Sequence, residues 1–250
     1  MSATTSSVEG EWSRIVGVLG GMGPDATAEF YRRLIALTPA RRDQEHLHVI
    51  IDADPGVPDR TAALLEDGES PLPRMRAAVE RLVAAGVDLI AVPCNTAHVW
   101  LRGLQEGVPI PIIDMVEETA CAAASKLPAA SPVGLLATTG TLHSGLYDRA
   151  LASHALRAVH PDDADQRRVM EGIARVKSAD PSTAKSILTE TAQRLVDRGV
   201  RALVLGCTEI PLVLGAGDVA VPVFDSLDVL ARRVLELARS PDVGPAEGGR

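Results

Sequence analysis

The sequence predicts an α/β fold built twice: two pseudo-symmetric domains, each a parallel sheet flanked by helices. Three observations predict it. Short apolar runs alternate with longer amphipathic ones, which is the rhythm of strand–helix–strand units. The short runs are almost continuously apolar instead of alternating, as strands covered on both faces are. The chain also repeats itself: Arg81, Leu82, Val83, Gly86, Val87 and Cys94 recur as Arg194, Leu195, Val196, Gly199, Val200 and Cys207, each 113 positions later.

In chain order, residues 15–19 read as a strand, 24–37 as a helix, 47–51 as a strand, 73–85 as a helix and 89–92 as a strand, with an Ala-rich helical run at 116–124. Val16-Gly17 returns as Val133-Gly134, and Val108, Pro111 and Asp114 return as Val219, Pro222 and Asp225, at spacings that differ by only a few residues. Changes in loop length account for that drift. The period is too long for a solenoid unit and marks two domains of about 110 residues, within ordinary domain size. We place them at 14–115 and 116–239, with terminal helices free to cross between them. Residues 1–13 and 240–250 are expected to be disordered tails.

Composition narrows the function classes. The 250 residues are 46% hydrophobic, enough for a substantial core, and carry a net charge of −8 with basic residues scattered along the chain. A nucleic-acid surface is therefore not expected, and only two Trp, two Tyr and two Phe are present to stack on bases. No apolar run approaches the roughly 18 residues of a membrane span, and no signal-peptide pattern opens the chain. Three cysteines in a chain of this size suggest a reducing, cytoplasmic setting and a small-molecule partner.

Two of those cysteines carry the chemistry. Cys94, in Pro93-Cys94-Asn95-Thr96-Ala97-His98, and Cys207, in Gly206-Cys207-Thr208-Glu209, each fall just past the carboxyl end of an expected strand, the edge where open α/β sheets bind ligands. The residues that follow suit the start of a helix, whose dipole would favour a thiolate. If the two halves face each other about an approximate two-fold axis, the sulfurs flank one bound molecule. One thiolate then removes a proton from carbon while the opposing thiol delivers another to the other face, inverting the centre. Cys121 lies in the Ala-rich run, has no repeat partner and is expected to pack. No metal is expected, because no CxxC occurs. His98, one turn on from Cys94, is open to two roles: orienting the thiol, or capping and packing.

These residues resemble the aspartate/glutamate racemase family, the pyridoxal-phosphate-independent cysteine racemases, and within it the aspartate racemase branch. The resemblance runs close to full length. It rests on Gly20-Gly21-Met22-Gly23-Pro24, Pro58-Asp59-Arg60-Thr61, the Cys94 segment, Ala137-Thr138-Thr139-Gly140-Thr141, Val169-Met170-Glu171-Gly172-Ile173 with Lys177, and the Cys207 segment. It implies Cys94 and Cys207 as the catalytic thiols, and Arg60 and Lys177 as holders of the substrate carboxylates. Met22, Asp59, Thr61, Asn95, Thr96, Thr139, Thr208 and Glu209 are implied to line the site. It further implies an isomerase that interconverts L- and D-aspartate or glutamate without cofactor, usually as a homodimer.

Three other functions remain to be weighed. Related maleate isomerases also keep both thiols. Gly21-Met22-Gly23-Pro24-Asp25-Ala26 fits the dinucleotide fingerprint, with Asp52 ending the second strand, although Asp52 lies farther on than the usual ~20 residues and the paired cysteines would have no role. A non-catalytic sensor of an acidic amino acid would keep Arg60 and Lys177 but need no thiols.

Overall fold

The computed structural model describes residues 12–239, and one ladder of strands is laid down twice within them. In the N-terminal half, β1 (Val16–Gly20), β2 (Val49–Ala53) and β3 (Leu89–Ala91) form a parallel sheet in the order β2-β1-β3. In the C-terminal half, β4 (Pro132–Ala137), β5 (Arg157–Val159), β6 (Ala202–Gly206) and β7 (Val223–Asp225) form a parallel sheet in the order β5-β4-β6-β7. Where the second sheet has β7, the first has a single parallel bridge from Ile90 to Ile112. The registers agree with the repeat. Val16 lies beside Leu89 as Val133 lies beside Ala202, and Ile90 meets Ile112 as Leu203 meets Val223.

Helix ends repeat too. The helices α3 (Leu72–Ala84) and α9 (Pro181–Asp197) both stop at a glycine in the left-handed region, Gly86 at φ +81° and Gly199 at φ +85°. Open space surrounds both positions, so backbone conformation alone calls for glycine there. Each end closes with the same pair of bonds: Gly86 and Val87 N–H donate to Val83 and Leu82, and Gly199 and Val200 to Val196 and Leu195. Likewise Asp114 caps α5 (Met115–Ala124) and Asp225 caps α10 (Ser226–Arg239), each through Oδ1 to two backbone N–H groups.

Those two capped helices cross over. Val16 and Val18 of β1 pack with Phe30 and Leu34 of α1 (Pro24–Leu37) and with Leu227, Leu230, Ala231 and Val234 of α10, so the last helix covers the first sheet. In turn, Val116, Ala120 and Ala123 of α5 pack on Val133, Leu135 and Val204, beside Tyr147 and Leu151 of α7 (Leu146–Ser153). The remaining faces are covered by α3 on the first sheet and by α8 (Asp163–Lys177) with α9 on the second. Arg33 of α1 pairs with Asp225, adding an ionic link between the halves.

The expected strands and helices fall within two residues of their observed positions, with β2 displaced farthest. Most of the expected tails lie outside the described residues. Trp12 and Ser13, assigned to the first tail, are joined to the fold: Trp12 Nε1 donates to the Glu45 carbonyl at 2.7 Å and Ser13 N–H to that of Ala238 at 3.1 Å. Cys121 does not pack; it is exposed on α5. Among the described residues no helix is long and apolar enough to cross a membrane.

Candidate active site

The carboxyl ends of both sheets converge on one small cavity of about 30 Å³, room for about one water molecule. The N-terminal half lines it with Met22 after β1, with Asp59, Arg60 and Thr61 at the start of α2 (Arg60–Leu65), and with Cys94, Asn95 and Thr96 after β3. From the C-terminal half come Thr138 after β4, Lys177 at the end of α8, and Cys207, Thr208 and Glu209 after β6. Every site residue expected from the sequence is therefore on this wall except Thr139.

Thr139 faces elsewhere: its Oγ1 accepts from Gln166 Nε2 at 3.1 Å and its N–H points at Met170 Sδ, 3.3 Å away. Thr138 takes the wall position. The repeat aligns Thr139 with Met22, but the two junctions differ in length. Gly21, Met22 and Gly23 separate β1 from α1, whereas α6 (Thr139–Ser144) follows β4 with only its cap, Thr138, between. The Thr138 hydroxyl contacts those of Thr96 and Thr141 at 2.9 Å, and Thr96 meets Thr141 at 2.8 Å, a triangle that ties the halves together.

On the N-terminal wall, Asp59 Oδ1 accepts from the Thr61 and Ala62 N–H groups at 2.8 and 2.9 Å, which caps α2 and aims Arg60 inward. Arg60 Nη1 donates to the Val57 and Pro58 carbonyls at 3.1 Å. Its Nε is buried without a partner. A buried guanidinium N–H left unpaired costs free energy until an acceptor arrives, and a carboxylate supplies that acceptor in the geometry a guanidinium prefers.

Cys94 is 6% exposed and held through its backbone. Met115 N–H donates to His98 Nε2 at 3.1 Å, so that nitrogen is the acceptor and Nδ1 carries the proton, which it donates to the Cys94 carbonyl at 2.9 Å. His98 thus holds the main chain of the thiol loop and caps the start of α5, without touching the Cys94 thiol itself. The adjacent Asn95 is 2% exposed and has its amide engaged by Tyr147 and Ser226.

Cys207 lies in different surroundings. Its thiol donates to Glu209 Oε2 at 3.0 Å, and Lys177 Nζ stands 3.8 Å from Glu209 Oε1. Burial pushes the Cys207 thiol well up from its ordinary pKa, the Glu209 carboxylate adds to the rise, and Lys177 offsets a little of it. The thiolate expected from a helix dipole is not what this thiol prefers. Only a single 3-10 turn, Ile210–Leu212, follows it, too short to supply a macrodipole against a neighbouring carboxylate. A much larger groove of about 970 Å³, lined by Arg102, Gln105, Glu106 and Asp114 among others, contains neither thiol, so volume alone does not mark the chemistry. Asp52, the acidic residue of a dinucleotide site, is paired to Arg81 at 2.7 Å.

Residues 19–234 match the sequence profile of the Asp/Glu/hydantoin racemases. The chain belongs to that family. It is an amino-acid racemase, an isomerase, and the maleate-isomerase, dinucleotide and sensor alternatives find no support in its relatives. Among solved structures it is similar to an aspartate racemase from Picrophilus torridus, with a TM-score of 0.82, 34% identity, and 90% of this chain and 94% of the other covered. Among curated proteins, the broad specificity amino-acid racemase RacX of Bacillus subtilis is 29% identical over 223 residues, covering 87% of this chain and 95% of RacX. A glutamate racemase from Enterococcus faecalis is 31% identical over 133 residues, covering 53% of this racemase and 48% of its relative.

Proposed function

We propose that this racemase interconverts L- and D-aspartate by two-base proton transfer between Cys94 and Cys207, with no cofactor taking part. The observation that carries the reading is that the two thiols line one small cavity, one from each half. Aspartate is supported by the wall itself: polar groups on nearly every side, a cationic residue from each half in Arg60 and Lys177, and little volume to spare.

The asymmetry of the thiols supports a first division of roles: Cys207 enters as the acid, since its proton is held against Glu209, which leaves the role of base to Cys94. Cys94 takes the Cα proton; the electron pair left on carbon spreads into the adjacent carboxylate, whose growing negative charge Arg60 and Lys177 hold. The Cys207 proton then passes to the opposite face, leaving Cys207 as thiolate and Cys94 as thiol. For the other enantiomer the same steps run in reverse. Donors aimed at such developing charge contribute about 3 kcal/mol each on oxyanion-hole precedent.

Incubating L-Asp and L-Glu separately in D2O, with chiral analysis of the products, tests the proposal. D-aspartate carrying deuterium at Cα is the expected product. One extra methylene in a pocket changes binding by about 1–3 kcal/mol, so glutamate should turn over about 10- to 100-fold less efficiently. Absence of exchange in both substrates would remove the assignment, and a glutamate preference would remove the aspartate part of it.

A further inference from the structure

Cys94 and Cys207 belong to different halves, yet one buried chain of hydrogen bonds joins the loops that carry them. The Tyr147 phenol, at the start of α7 and 1% exposed, donates to Asn95 Oδ1 at 2.6 Å. Asn95 Nδ2 donates to Ser226 Oγ at 3.0 Å, and Ser226 Oγ donates to the Leu205 carbonyl at 2.8 Å. The chain thus runs in one direction from the residue after Cys94 to β6, the strand that ends just before Cys207, and aligned bonds of this kind reinforce one another. Tyr147 also bears on Cys207 directly through its neighbour: a Cβ on Gly206 would come within 2.9 Å of the ring carbon Cε2. The hydroxyl therefore grips one thiol loop while the ring abuts the other. Burial raises the phenol pKa, which keeps it a donor.

We propose that Tyr147 is a positioning residue that sets the separation of the two thiols across the substrate, an inference that rests on the two-base reading. Transfer from one face and delivery to the other require both sulfurs to be in place at once, whereas removal and return of a proton on a single face requires only one. A loosened pair therefore loses inversion before it loses exchange. The sulfur facing the Cα proton still takes it, trades it for solvent deuterium, and returns the deuterium to the face it came from.

Tyr147→Phe keeps the ring against Gly206 and removes the donor. In D2O with L-aspartate we expect kcat for inversion to fall about 100-fold, the scale of a 1 Å misplacement, with KM nearly unchanged. The ratio of deuterium in recovered L-aspartate to D-aspartate formed should rise. Ser226→Ala, which cuts the chain at its far end and leaves Tyr147 intact, should shift that ratio the same way, and it decides the question if Tyr147→Phe does not fold. Wild-type kcat in Tyr147→Phe, or a reduced kcat with the ratio unmoved in either variant, would overturn the proposal. Wild-type enzyme that inverts neither aspartate nor glutamate would instead sink the two-base reading on which it stands.

Discussion

Cys94 and Cys207 stand at corresponding points of a repeated ladder, and their surroundings have diverged completely. Around Cys94 the contacts are made to backbone: His98 holds its carbonyl, and the Asn95 amide anchors the residue behind it. Around Cys207 a side-chain carboxylate accepts a hydrogen bond from the thiol, with a lysine behind that carboxylate. The repeat supplies two places of matching geometry, and the surroundings then favour the protonated form at Cys207; in the proposed cycle that makes Cys207 the first acid. For a racemase the distinction matters, because two identical thiols would have no preferred starting state.

The largest effect expected is from removing either sulfur. Cys94→Ala and Cys207→Ala should each lower racemisation by about 10³-fold, within the range of a positioned general acid or base. The comparison between them is more telling than either loss. Cys207→Ala retains Cys94 and should still wash deuterium into one enantiomer without inverting it, while Cys94→Ala retains the thiol that rests protonated and should exchange more slowly. Equal residual exchange in the two variants would contradict the assigned roles.

How much of this difference the chain itself declares depends on which kind of contact makes it. The positions of both sulfurs are legible, because apolar runs locate strands and the 113-position match places Cys207 opposite Cys94. Glu209 is legible as a neighbour of Cys207, but not the direction in which it drives the thiol: the run Cys207-Thr208-Glu209 looks like a helix start and folds as a short turn. Thr139 illustrates the limit of the repeat, which transfers position along a strand reliably and loses it at the first junction of unequal length. Tyr147 and Ser226 leave no local signal, since they reach the site from helices more than fifty residues from Cys94, and only tertiary packing brings them to it.

A smaller effect, read as a displacement of the pH profile, is expected from Glu209→Gln. The carboxylate raises the Cys207 pKa by its charge and by accepting the thiol proton, so neutralising it lets that pKa fall towards its ordinary value. Cys207 then loses its proton at lower pH, and because it is needed as the acid, the alkaline limb of kcat should move to lower pH. Alkylation of Cys207 should accelerate at lower pH in parallel. An alkaline limb that stays in place would mean that Glu209 does not govern this thiol. His98→Ala acts on the other sulfur and by another route. It leaves the Cys94 carbonyl and the Met115 N–H without their partner, at about 1–3 kcal/mol for each buried group, so thermal stability should fall while the alkaline limb stays unmoved. A shifted limb in His98→Ala would erase the contrast between the two sites.

The smallest effect belongs to the third cysteine, which calibrates the other two. Cys121 is exposed on α5, whereas Cys94 and Cys207 are 6% and 5% exposed on the wall of the cavity between the halves. Access governs reaction with a bulky disulfide reagent as strongly as thiolate content does, so Cys121 should react first and alone. Activity should survive that first phase and disappear with the second, and bound aspartate should slow only the second. Cys121→Ser should remove the fast phase and leave kcat and KM as they were. Early inactivation tracking the fast phase would show that the two cavity thiols are as accessible to the reagent as the surface of α5 is.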